Sequence, residues 1–332
     1  MSETTLRIAT LRRETWPLRA AFTIARGSRK EAQVLYLRLT DGTQHGQSEC
    51  MPYRHYGESF ESVEAQIVDA VTQIAEAPDA RDRLQSCLPA GAARNALDCA
   101  LWDLEGKRSG RRAWELAGRD EPKPAVTVET IVIDTPQAMF EAARTARARP
   151  VLKVKLDAEL VLERIHAVNE GAPQSRVVVD ANEAWSFDQL VALAPKLAEL
   201  RVAMIEQPLL ARADQALAGY SCPVPLCADE SCHTRADLDA CAPRYALVNV
   251  KLDKTGGLTE ALALCDAARA RGLGVMVGCM LGTSLAMAPA TLIADRADFV
   301  DLDGPLWMSK DREPALRIDD SRVGLPELAL WG

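Results

Sequence analysis

Seven short apolar runs in this 332-residue sequence end in polar residues that could do chemistry. VLKVKLD carries Lys153 and Lys155, and VVVDAN ends in Asp180 and Asn182. Glu206 lies in AMIEQP, Asp229 and Glu230 end PLCADE, and Lys251 lies in LVNVKLD. Gly278 and Cys279 end GVMVGC, and FVDLD holds Asp301 and Asp303. Asp180, Glu206 and Asp229 fall on consecutive runs. Three carboxylates gathered at one place repel one another and do not all ionise without a cation. An all-oxygen donor set without His or Cys matches a hard ion, Mg2+ first and Mn2+ second. A single acid at a strand end could instead cap the next helix. Three in succession, supported by Asn182 and Glu230, are better explained by a shared ion.

Lys153 and Lys155 stand two apart, so in a strand both project to one face. A charge turned inward from an apolar strand is costly unless an anion waits there. A lysine beside a second lysine and a divalent cation has its pKa lowered and can act as a base near neutral pH. Lys155, with Lys153 as its neighbour, and Lys251 are therefore candidate bases. A proton alpha to a carboxylate is very weakly acidic, and a divalent ion on the carboxylate oxygens stabilises the enediolate left behind. One lysine on each face would remove the proton from one side, return it from the other and invert the centre. Asp301 and Asp303 exceed what the metal needs. They read as a receptor for a substrate ammonium, since a buried cation calls for paired anions. A helix cap or a bridge to Arg296 is the plainer alternative.

The elements that must hold these residues follow from their intervals. From Lys155 the polar ends fall at Asp180, Glu206, Asp229, Lys251, Gly278 and Asp301, that is 25, 26, 23, 22, 27 and 23 residues apart. A strand, a helix and two short loops need about that length. The spacers read as helices, with Ala, Leu, Lys and Glu at helical spacing over 188–200 and 258–271. With AVTVETIVI at 125–133 the count reaches eight strands, and the fold class is α/β, a closed (β/α)8 barrel. The polar ends then lie at its C-terminal face, where barrels carry their reactive groups. Lys155 on the second strand and Lys251 on the sixth would face each other across the mouth.

Residues 1–122 lack the barrel period and form an α+β capping domain. Strands are expected at 6–11 and 34–39, a turn at Asp41-Gly42, and helices over 62–75 and 92–107. Two polar loops, 26–30 and 52–59, would form a lid over the mouth. The barrel domain spans 123–305, and the tail 306–332, with a short strand near 315–318, returns to complete the cap.

Composition narrows the partners. A net charge of -8 with no Lys/Arg cluster argues against nucleic acid. The 23 uncharged residues 272–294 are long enough to span a bilayer. Their Gly, Ser, Thr and Pro content favours a buried strand, loop and helix instead. The N-terminus lacks a secretion-signal pattern, and nine cysteines are an odd number, so the expected location is the cytoplasm. Cys222, Cys227 and Cys232 with His233 match no short zinc motif and read as small buried groups. His45 and His55 are expected to serve the cap's own structure.

The motifs LKVKLD, VVDANEAW, IEQP, ADESCHTR, VNVKLDKTGGLTEA, GCMLGTS and DLDGP together resemble the enolase superfamily. Within it the chain is most similar to bacterial L-Ala-D/L-Glu dipeptide epimerases of the muconate-lactonizing-enzyme-like subgroup. The resemblance implies Lys155 and Lys251 as the acid/base pair and Asp180, Glu206 and Asp229 as Mg2+ ligands. It implies Asp301 and Asp303 as receptors of the dipeptide's ammonium, and Thr130, Lys153, Cys279 and Leu281 as substrate contacts. A distal carboxylate would need a cation from the capping loop, with Arg26, Arg29 and Lys30 as candidates. The implied activity is epimerisation of a dipeptide at its C-terminal residue, in murein peptide recycling, by an enzyme that could be a homo-oligomer. An N-acylamino acid racemase, an o-succinylbenzoate synthase and a cycloisomerase are the alternatives within the subgroup. A non-catalytic metal-containing binding protein is a more distant one.

Overall fold

The computed structural model describes residues 5–332; residues 1–4, where the expected capping domain begins, lie outside the described residues. Eight parallel strands follow chain order: Glu129–Ile131, Val151–Lys155, Arg176–Asp180, Val202–Glu206, Leu226–Ala228, Leu247–Lys251, Gly274–Gly278 and Phe299–Val300. The sheet curls until Val128 N donates to Val300 O at 2.8 Å, which joins its two ends. Runs of Val, Ile and Leu suit strands covered on both faces. Register sets the chemistry level, because Lys155 pairs with Asp180, Asp180 with Glu206, and Lys251 with Gly278. Two residues below three of those ends, Val178, Met204 and Met276 join Val128, Cys227, Leu247 and Phe299 in a buried cluster that plugs the interior.

The first strand is shorter than the sequence suggests. Ala125–Val126 leaves the curled sheet and pairs with Arg322–Val323 of the tail, itself paired with Ile318–Asp319. Thr127 turns the chain between the two sheets. Its N–H donates to Ser321 O at 2.8 Å, and its hydroxyl accepts from Leu302 N at 2.9 Å.

The spacers are less uniform than their lengths. Phe187–Glu199 and Leu258–Ala270 are full helices, the first opened by a capping box at Ser186. After the fourth strand the chain makes only a 3-10 segment, Ala211–Leu217, and after the fifth a 3-10 turn, Arg235–Asp237, running into a single helical turn, Leu238–Cys241. Pro208, Gly219, Pro223 and Pro225 break the first of these stretches. Residues 272–294 hold a strand and two one-turn helices, Ser284–Met287 and Thr291–Ala294. Among the described residues no helix is long and apolar enough to cross a membrane.

The N-terminal region pairs Arg7–Ile24, Gly27–Thr40 and His45–Cys50 as an antiparallel sheet. The helix Ala92–Ser109 presses so close that a Cβ at Gly46 would sit 1.9 Å from Ala100 O. The expected polar loop 26–30 is instead a hairpin tip. Ile24 pairs with Gly27, so only Ala25 and Arg26 turn the chain, and Gly27 takes φ 132. The tail divides. Trp331 is fully buried with its indole N–H on Cys99 O at 2.9 Å, whereas 318–323 stays with the foot of the first barrel strand.

Candidate active site

The ends of the second to sixth strands and of the eighth deliver charged side chains into buried ion pairs. Lys155 Nζ donates to Asp180 Oδ2 at 2.6 Å, and Lys251 Nζ to Asp229 Oδ2 at 2.6 Å. Lys153 stands between, 2.6 Å from Glu206 Oε2, 2.7 Å from Asp301 Oδ2 and 3.1 Å from Asp180 Oδ2. Asn249 Nδ2 donates to Glu206 Oε1 at 2.6 Å, and Asn182 N to Asp180 Oδ1 at 2.9 Å. Asp303 accepts from Thr130 N at 2.8 Å.

Electrostatics follow from this pairing. Burial alone would raise Asp180, but the ammonium groups of Lys155 and Lys153 hold it well below the usual carboxylate range. Burial also opposes ionisation of Asp229, yet Lys251 and Lys254 keep it far below its ordinary value. Glu206 rises through burial and repulsion from Asp180. The same carboxylates act on the lysines. Burial and the charge of Lys153 push Lys251 down, but Asp229 and Glu206 push it further up. Lys153 likewise lies well above its ordinary value, since Asp301, Glu206 and Asp180 outweigh its burial.

The donor set fits a hard divalent ion. Asp180, Glu206 and Asp229 are buried oxygen donors on adjacent strand ends, without His or Cys among them, and their only close charged partners are lysine ammonium groups, which occupy the space a cation would share.

A cavity of about 170 Å3 opens above the network, under the hairpin tip. Thr130, Lys153, Cys279, Leu281, Asp301 and Asp303, all expected to meet substrate, line it. So do Lys155, Lys251, Asp229, Asn182 and Arg26, whereas Asp180, Glu206 and Glu230 lie behind the wall. Burial and the neighbouring Asp301 push Asp303 up to about 7, and burial with Asp229 pushes Glu230 up to about 8.

Arg26 is held rather than free. Its guanidinium lies 2.7 Å from Glu230 Oε1 and 3.3 Å from Glu183 Oε2, and it donates to Asn182 O at 3.1 Å. Arg29 also lines the cavity, 5.7 Å from the centre of the Tyr53 ring, while Lys30 does not. His55 does not serve the cap alone, as its Nε2 lies 2.7 Å from Glu183 of a barrel loop. Glu183, Asn249 and Lys254 went unread in the sequence. Asn249 carried a signal, standing two before Lys251 on the same strand face. Lys254 carried a weaker one, a charge inside the buried turn before Gly256-Gly257.

Comparison with known proteins agrees with this geometry. Residues 7–118 match the mandelate racemase / muconate lactonizing enzyme N-terminal domain, and residues 138–329 match the enolase C-terminal domain-like family. The L-Ala-D/L-Glu epimerase of Escherichia coli is 49% identical over 94% of this chain and 98% of its own. An N-acetyl-D-glutamate racemase of Pseudoalteromonas is 44% identical over 90% of this chain and 95% of its own. A crystal structure from Agrobacterium tumefaciens is that of an enolase family member with homology to dipeptide epimerases, with bound sodium and L-Ala-L-Glu. It superimposes with a TM-score of 0.93 at 44% identity, covering 99% of both chains. The chain belongs to the enolase superfamily, with the two domains of its mandelate racemase and muconate lactonizing enzyme branch.

Proposed function

We propose that this protein is an isomerase, a Mg2+-dependent dipeptide epimerase of the L-Ala-D/L-Glu type. The observation that carries the proposal is the matched pairing of Lys155 with Asp180 and Lys251 with Asp229, from strands four steps apart in one curled sheet. Asp180, Glu206 and Asp229 would hold the ion, which when bound offsets the charge that builds on the substrate carboxylate as its α-proton leaves. Lys155 and Lys251 move that proton, one on each face of the α-carbon. Lys153, fixed by three carboxylates, orients the group and keeps its charge. Asp301 and Asp303 receive the dipeptide's ammonium, since two buried acids so close favour a cation between them. Arg26, pinned to Glu230 and Glu183, holds the hairpin tip over the mouth and limits water entry. That leaves Arg29 as the cation for a distal carboxylate.

Incubation with Mg2+ and L-Ala-L-Glu in D2O should place deuterium at the Glu α-carbon and yield L-Ala-D-Glu. Absence of exchange with this and related dipeptides rejects the proposal. A second reading, racemisation of an N-acylated glutamate, is favoured by the 44% identical racemase. It requires N-acetylglutamate to be turned over faster than the dipeptide.

The proposal extends to murein peptide recycling in the cytoplasm, consistent with nine free cysteines, and to assembly as a homo-oligomer. The net charge of -8 fits a small-molecule substrate and no nucleic acid. The functional units are drawn as a cap of residues 1–122 with 306–332 and a barrel of 123–305.

A further inference from the structure

Glu49 lies one residue before the end of the third strand of the N-terminal sheet with its side chain wholly buried, and the chemistry above makes no use of it. Its carboxylate accepts from Thr283 N at 2.8 Å and from the Thr283 hydroxyl. Arg312, from the tail, donates Nε to Glu49 at 3.0 Å and to Thr283 Oγ1 at 2.8 Å, and Nη2 to Glu14 at 2.6 Å. The guanidinium stands 5.1 Å from the Trp16 ring and 5.0 Å from the Tyr36 ring, which fixes its plane. The preceding residue repeats the pattern. Asp311 accepts from Ser284 N at 2.9 Å and from the Ser284 hydroxyl.

Two consecutive residues after the seventh barrel strand are thus gripped, through both N–H and hydroxyl, by acids from outside the barrel. One residue before them, across Gly282, come Cys279, Met280 and Leu281, which form one wall of the cavity. No strand or helix spans 279–283, so no ladder of backbone bonds sets the height of that wall. Gly282 lies against the clamp, where a Cβ would come within 3.0 Å of Glu49 Oε1. A buried ion pair is costly to desolvate and specifies one geometry when fully bonded.

We propose that Glu49 and Arg312 are positioning residues that set the 279–281 wall at the height a bound dipeptide needs. This rests on the dipeptide reading above. Neither residue touches substrate. Their loss removes binding shared by ground and transition states, which raises KM and leaves kcat in place.

The test uses Glu49→Gln, Arg312→Met and the double change Glu49→Met with Arg312→Met, which leaves no buried charge unpaired and keeps the fold accessible. Expected for the double variant are a KM for L-Ala-L-Glu raised about tenfold, a kcat within about twofold and unchanged Mg2+ affinity by calorimetry. Amide hydrogen exchange should speed up across 279–284 and stay as in the parent across Gly274–Gly278. A KM within about twofold of the parent, or a loop as protected as in the parent, overturns the proposal. If the parent turns over no dipeptide, loop exchange decides alone, faster exchange supporting the clamp and unchanged exchange overturning it.

Discussion

Lys254 meets Asp229 at Oδ1, 2.7 Å away, opposite the oxygen that Lys251 takes at 2.6 Å. The same ammonium donates to the backbone oxygens of Asp229, Cys232 and Asn249, and its side chain is fully buried. One lysine staples the loop after the fifth strand to the sixth strand. The other remains at the cavity wall.

Lys254→Met should leave three buried carbonyls and a carboxylate oxygen without their cation. Stability is expected to fall by about 3–5 kcal/mol, as when one partner of a buried pair is removed. Urea unfolding measures it, and a loss below about 1 kcal/mol, the net worth of one ordinary hydrogen bond, would mean that those oxygens find other partners.

Lys155→Ala and Lys251→Ala should each lower epimerisation by about 10^2 to 10^4-fold, the usual worth of a positioned acid or base. Each variant should still exchange the α-proton of one epimer, because the remaining lysine can remove and return it on its own face. NMR of L-Ala-L-Glu and L-Ala-D-Glu in D2O reads both quantities. Exchange of both epimers by either variant would contradict two-sided transfer.

Asp303→Asn removes one charge from the pair proposed to face the ammonium. The KM for L-Ala-L-Glu should rise roughly ten- to hundredfold, the worth of one charge-assisted hydrogen bond. N-acetylglutamate, which has no ammonium, should lose nothing by the change. Equal losses for both substrates would assign the pair to the fold.

Asp98 gives the pH dependence of stability a definite sign. Burial raises its pKa from 3.8 to about 6 against the bonds from Thr259. A carboxyl that holds its proton more tightly when folded favours the native state at low pH. That contribution is complete below about pH 4 and is lost as pH rises to about 6, a change on the order of 3 kcal/mol. The difference between the urea midpoints of the parent and of Asp98→Asn across this range measures it.

The sequence by itself determined the number and order of the barrel strands. A strand, a helix and two loops occupy a nearly fixed length, so polar residues recurring every 22 to 27 positions mark strand ends. Period-two alternation also set which residues share a face, with Lys153 beside Lys155 and Asp301 beside Asp303. Only the tertiary structure decided which charges meet. Arg26 on Glu230, Lys254 on Asp229 and Glu49 on Thr283 join residues 204, 25 and 234 positions apart. No local periodicity encodes such pairs, because each depends on how a loop or the tail docks on the barrel. Across strand ends the same rule holds: Asp229 and Glu206 raise Lys251 against its burial, since electrostatic energy follows distance in space.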